Sequence, residues 1–193
     1  MSSGCTDAPS DAFTLWALDG IYETRVLMSL VIRSAGAADI PVLLDLIREL
    51  ATYEREPDAV EATPEQLHHA FFGPDANARG LVAEVDGAPV GCAIYFFNFS
   101  TWTGRRGVYL EDLYVRPSAR GTGAGRALMA RLAHIALEHG CARLDWAVLD
   151  WNTPAIGFYE RLGARRMDDW TIYRLDGSAL NAMARAEPAP RAL

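Results

Sequence analysis

Two adjacent carboxylates, Glu111 and Asp112, stand in the apolar stretch YLEDLYV (residues 109–115), and the chain then passes three alternating glycines, Gly121, Gly123 and Gly125. Neighbouring acids can take a proton from a cationic group or hold its charge. Glycines at a helix start let an anion reach unpaired backbone N–H groups that carry about half a positive charge. The pattern thus offers a place for a cation beside a place for an anion, with nucleotides, dinucleotides and coenzyme A as candidates for the latter. The plainer alternatives are a solvated edge carboxylate and a glycine-rich turn without a ligand.

Composition removes several chemistries. All 18 basic residues are arginine, so a Schiff base, a pyridoxal anchor and a Walker-type phosphate loop have no lysine to use. A dinucleotide fingerprint is a poor match: the spacing is G-x-G-x-G, residues 116–120 separate strand from glycine, and Asp145 lies near the start of the next strand. A net charge of −7 argues against nucleic acid or an acidic membrane as partner and leaves room for a cationic substrate. Cys5, Cys92 and Cys141 are widely spaced and suggest neither a disulfide framework nor a thiolate metal site, which fits a reducing cytoplasm. His68, His69, His134 and His139 show no metal-ligand spacing, so no metal is expected. No apolar run approaches the ~20 residues of a membrane span. Residues 1–27 lack the basic and apolar regions of a signal peptide and read as an extension upstream of Met28.

The elements that must carry these residues follow from periodicity. Leu30–Arg33 reads as a strand. Ile40, Leu43, Leu44, Ile47, Leu50 and Ala51 recur at helical spacing in a helix ending near Tyr53-Glu54. Thr63-Pro64-Glu65-Gln66 is a capping box that starts a second helix reaching Phe72. Asp86-Gly87 between Leu81–Val85 and Pro89–Phe99 marks a hairpin, and Val108–Val115 is a further strand. A helix with Leu128, Leu132, Ile135 and Ala136 on one face follows the glycines and stops at Gly140. Strand Ala142–Leu149, a helix from Thr153-Pro154 to Gly163 and a last strand Thr171–Leu175 complete a β-α-α-β-β-β-α-β-α-β order, a mixed α/β sheet in one domain at residues 28–177 with a C-terminal tail at 178–193, whose end ARAEPAPRAL (residues 184–193) is expected to fray.

The pattern Arg-x-x-Gly-x-Gly, filled by Arg120, Gly123 and Gly125, resembles the acyl-CoA signature of the GNAT N-acetyltransferase superfamily. YLEDLYV, RGTGAG, AVLDWN (residues 147–152) and FYERLGA (residues 158–164), in this order, are similar to the spermidine/spermine N-acetyltransferase branch. STWTGR (residues 100–105) and LDWN resemble its thialysine acetyltransferase members most. The likeness runs from Met28 to Leu175 and implies a mostly antiparallel sheet flanked by helices, with splayed central strands, and acetyl-CoA as cosubstrate. By the same resemblance, backbone groups of Gly121, Thr122, Gly123, Ala124, Gly125 and Arg126 hold the pyrophosphate beside Arg120. Leu113, Tyr114 and Val115 bind the pantetheine arm, and Asn152 and Tyr159 also meet the coenzyme.

Acetyl transfer to an amine needs the amine neutral, yet alkylamines have pKa values near ~10.4, so a base must act first. The resemblance assigns the base to Glu111 and the proton donor for the leaving thiolate to Tyr159. Alternation along a strand aims Glu111 and Asp112 at opposite faces, and both reach one amine only if the strand bulges, as the family likeness implies. Tyr53, Glu54, Trp102, Glu111 and Asp112 are the candidate contacts for a small cationic amine, a lysine analogue, diamine or polyamine. Polyamine-acetylating relatives carry an acid where this chain has Ser100, which favours a shorter amine. A homodimer is expected by analogy. A protein or peptide acetyltransferase and a non-catalytic acyl-CoA-binding module are the competing readings.

Overall fold

The computed structural model describes residues 28–186. The proposed extension 1–27 and the last part of the tail lie outside them. The described chain forms two compact units, one ending at Asp145 and the other beginning at Trp146.

In the first unit β1 (Leu30–Ser34) leads into α1 (Ile40–Tyr53) and α2 (Pro64–Phe72), followed by β2 (Arg79–Val85), β3 (Ala88–Ser100), β4 (Arg105–Val115) and α3 (Ala124–Glu138). A short β5 (Leu144–Trp146) completes an open five-stranded sheet in the order β1-β2-β3-β4-β5. The pairings from β1 to β4 are antiparallel. The bonds from Ala142 N–H to Arg106 O and from Val108 N–H to Arg143 O advance in the same direction along both chains, as in a parallel pair joined by a crossover helix. The fold is thus mixed α/β, an open and mainly antiparallel sheet flanked by helices.

Local signals explain the elements. Thr63 Oγ1 accepts from the Gln66 N–H at 3.2 Å while Gln66 Oε1 accepts from the Thr63 N–H at 2.9 Å, so the capping box forms reciprocally. Asp86 and Gly87 take positive φ of 51° and 79° at the β2–β3 turn, the conformation such a two-residue hairpin needs. Leu43 and Leu46 of α1, both fully buried, pack with Val82, Cys92 and Tyr114 of the sheet. Leu46 is one core position the sequence stripe omitted. Cutting it to alanine would cost about 2–5 kcal/mol. On the other face α3 buries Leu128, Met129, Leu132 and Ile135.

The second unit holds α4 (Thr153–Arg161) and α5 (Gly177–Arg185). It corrects two expectations. The strand expected over Ala142–Leu149 is regular only at Leu144–Trp146, and Thr171–Leu175 is not a strand. Apolar alternation makes a strand only where a ladder accepts its N–H and C=O groups, and Thr171–Leu175 has no strand partner among the described residues. No element was expected where α5 forms, with Asn181 Nδ2 donating to Gly177 O, and most of the segment expected to fray lies outside the described residues.

Candidate functional site

The site begins where the β3–β4 register breaks. Ile94 pairs with Asp112 but Tyr95 pairs with Leu110, which leaves Glu111 as an extra residue on β4. Tyr114 packs in the cluster with Leu43 and Leu46 of α1, so Asp112, two residues earlier, shares the α1 side of the sheet. Leu110 is opposite Tyr95, whose ring meets Phe97, which in turn meets His139 at the end of α3. Leu110 therefore faces α3. Unbroken alternation would send Asp112 the same way as Leu110. The bulge at Glu111 resets it, and both acids turn toward α1.

Asp112 is half-buried, and its carboxyl is pushed up to about 6, first by burial and then by the negative charges of Glu111 and Glu54. Glu54 follows the last residue of α1, where the helix carbonyls add negative potential, and burial raises its pKa as well. Glu111 is exposed. The three acids form an electronegative notch in which each makes ionisation of Asp112 harder, and a bound cation would reverse that.

The glycine loop is built to leave backbone donors open. Gly121 and Gly123 have φ of 82° and 93°, which only glycine adopts without strain, and no atom lies within 4 Å of a Cβ placed on either. Gly123 caps α3 with no side-chain hydrogen bond, and the Ala127 N–H to Gly123 O bond closes the first turn. The N–H groups of Ala124, Gly125 and Arg126 consequently face out of the helix end. Thr122 is held differently from the expectation: its Oγ1 donates to Ala119 O at 2.8 Å and its N–H approaches the same oxygen at 3.4 Å.

Arg116 N–H donates to Val90 O, so alternate residues Leu113 and Val115 turn their N–H and C=O groups away from β3, whereas Tyr114 pairs inward with Cys92. Arg120 Nε reaches Val115 O at 3.2 Å, and its guanidinium lies 4.9 Å from the Tyr53 ring centre. Tyr53 and Arg120, assigned separately from sequence to substrate and coenzyme, thus touch each other. A clamp that sequence reasoning missed holds this corner: Arg116 donates from Nε and Nη2 to Glu49 at 3.0 and 2.8 Å, and from Nη1 to Pro89 O at 2.9 Å. Nothing local could reveal it, since the partners are 67 residues apart.

Trp102 is at the tip of the β3–β4 turn and is 88% exposed. Ser100 stands six positions along β3 from Ile94, the partner of Asp112, a span of about 20 Å. The chain's own Trp102 does not join the acidic notch. In the second unit, Asn152 is buried and its Oδ1 accepts from the Ala155 N–H at 3.3 Å, capping α4. The Tyr159 ring packs 4.9 Å from Trp146 and 5.3 Å from Phe158.

The Acetyltransferase (GNAT) family profile matches residues 43–164, across both units. A thialysine N-epsilon-acetyltransferase of Sus scrofa is 40% identical over 169 residues, covering 82% of this chain and 99% of the relative. An L-ornithine N5-acetyltransferase of Arabidopsis thaliana is 37% identical, covering 79% of this chain and 86% of that protein. Among solved structures, an integron cassette protein from the mobile metagenome of V. cholerae superposes with a TM-score of 0.71 at 31% identity, over 82% of this chain and 99% of the other. Acetyl-CoA is the cosubstrate of such enzymes, and the uncapped α3 start with its two left-handed glycines suits a pyrophosphate. The chain belongs to the GNAT acetyltransferase family and is an acetyl-CoA-dependent N-acetyltransferase.

Proposed function

We propose that the enzyme acetylates a small primary amine of the thialysine, ornithine or short-diamine class, with the amine held in the notch of Glu54, Glu111 and Asp112. The observation that carries this reading is the bulge that turns Glu111 and Asp112 to one side of the sheet, next to Glu54. The relatives named for thialysine and ornithine support the amine class. Ser100 in place of an acid supports a short amine over a long polyamine. Acetyl-CoA supplies an activated acyl group for the amine nitrogen to take.

The chain's own groups do the rest. Asp112 holds the ammonium, and Glu111, at the exposed edge of the notch, accepts its proton and passes it to water. The Leu113 N–H, directed away from β3, is a donor for developing oxyanion charge. The loop N–H groups of Gly121, Gly123, Ala124, Gly125 and Arg126, with Arg120, hold the coenzyme pyrophosphate. Tyr159 supplies the proton for the departing sulfur. Leu113, Val115 and Asn152 orient the coenzyme, Asn152 through the end of the helix it caps. The exposed apolar residues Trp170, Ile172 and Tyr173, at 66%, 77% and 91%, support a homodimer. Free Cys92 and Cys141, with no described helix long and apolar enough to cross a membrane, support a cytoplasmic site of action.

Thiol release from acetyl-CoA, measured with thialysine, lysine, ornithine, short diamines, spermidine and a lysine-containing peptide, tests the assignment. Saturable turnover should favour a short amine. Preference for the peptide or for spermidine would overturn the substrate class, and coenzyme binding without turnover of any amine would overturn the enzyme reading.

A further inference from the structure

The side of the β2–β3–β4 sheet that faces α3 carries a second polar concentration, opposite in sign to the acidic notch. Register places Arg79 beside Tyr95, and Arg106 beside Phe99, with Phe97 between them on the same side. The Arg79 and Arg106 guanidiniums lie 5.6 and 5.9 Å from the centre of the Phe97 ring. His139, capping α3, packs on that ring at 4.9 Å. Arg79, Phe97, Phe99 and Arg106, with Ala76, Asn77 and Asn98, border an open cleft of about 340 Å³ with no acidic residue in its lining.

This charge is unbalanced. Arg33, Arg116, Arg131, Arg143 and Arg166 each pair with a carboxylate. Among the described residues neither Arg79 nor Arg106 has one within 4.0 Å, in a chain of net charge −7. A guanidinium is attracted to the electron-rich face of an aromatic ring. Both guanidiniums border the same cleft, and an anion bound there is attracted by each. Guanidinium forks match phosphate and carboxylate oxygens in pairs. Phe99, 62% exposed on the same rim, offers a flat apolar face to whatever carries the anion.

We propose that the cleft bordered by Arg79, Phe97, Phe99 and Arg106 binds a small phosphate-bearing ligand with a flat ring. The two guanidiniums take its phosphate, and the ring lies along Phe99. The site is separate from the coenzyme loop, because His139 and Gly123 cap opposite ends of a helix of 15 residues, about 22 Å long. It is also separate from the amine notch, which opens toward α1.

The test is calorimetric titration of the full-length enzyme, with its coenzyme site saturated by coenzyme A, using adenosine monophosphate and inorganic phosphate as probes. One saturable site is expected, with the nucleotide binding more tightly than phosphate. Arg79→Gln and Arg106→Gln should each weaken the nucleotide at least tenfold and leave the KM for acetyl-CoA unchanged, which also shows that the variants fold. Phe99→Ala should bring nucleotide affinity down toward that of phosphate. Equal affinity for both probes in the wild type would overturn the ring-bearing ligand. Absence of saturable binding at millimolar concentration, or binding that survives both arginine substitutions together, would overturn the site.

Discussion

The start of α3 and the bulge in β4 are both interruptions of regular structure, yet they expose different things. The helix start exposes backbone N–H groups, whose partial charges do not titrate and whose placement depends on two glycines at positive φ. The bulge presents carboxylates, and there burial and the charges of Glu111 and Glu54 hinder ionisation of Asp112. Sensitivity to pH in the acidic range should therefore reside on the amine side, while coenzyme capture should respond to backbone geometry. The comparison can be broken at either end.

The largest effect should come from Glu111→Gln, which keeps the shape of the notch but removes the proposed proton acceptor. A kcat lower by about 10²–10³-fold is expected, with the KM for acetyl-CoA little changed, and steady-state kinetics at saturating coenzyme would show it. Asp112→Asn should instead act on the KM for the amine, raising it about 10–100-fold while kcat falls less. A pure kcat effect would mean that Asp112, not Glu111, accepts the proton.

The pH profile sharpens the same distinction. With its carboxyl pushed up to about 6, Asp112 is protonated at lower pH and cannot hold the ammonium. In the wild type kcat/KM for the amine should fall about tenfold per unit below that pH. Asp112→Asn should flatten this limb, and binding of acetyl-CoA should not follow it. Gly123→Ala, at φ 93°, should raise the KM for acetyl-CoA about 5–10-fold and destabilise the fold by about 1–2 kcal/mol, with the amine KM unmoved.

The smallest effect runs against intuition. Because the folded state raises the Asp112 pKa, stability from this group is complete below the unfolded value of 3.8 and is lost as pH rises through about 6. At pH 7 the ionised carboxylate costs the apoenzyme about 1–3 kcal/mol. Asp112→Asn should therefore raise the apoenzyme Tm by a few degrees at pH 7 and leave it nearly unchanged at pH 4. A lower Tm at pH 7 would show that Asp112 is compensated by a cation within the fold.

Local chemistry was legible from sequence, and pairing was not. The Thr63 capping box, the Asp86-Gly87 turn and the Gly123 helix start each depend on a few neighbouring residues. The shared side of Glu111 and Asp112 depends on which residue of β3 each one meets, a relation that periodicity within β4 cannot express. Resemblance had implied the bulge, and the register gives its position. Trp102 illustrates the reverse: its type suits a cation, but a hairpin tip about 20 Å from Asp112 keeps it out of this chain's notch. Thr171–Leu175 has the composition of a strand without a ladder to join. Asn152 reads as a coenzyme ligand from its motif, while its Oδ1 caps α4.

The clamp between Arg116 and Glu49 makes α1 a ruler. Arg116 fixes Glu49 against the end of β4, and five residues further along the same helix the chain reaches Glu54, a rise of about 7.5 Å. The phase of that helix decides whether Glu54 meets the bulge. Inserting a single residue between the two acids would advance Glu54 by only about 1.5 Å but rotate it by about 100°, away from Asp112. Substitutions on the outer face of this segment leave that phase unchanged, whereas a change of one residue in its length does not.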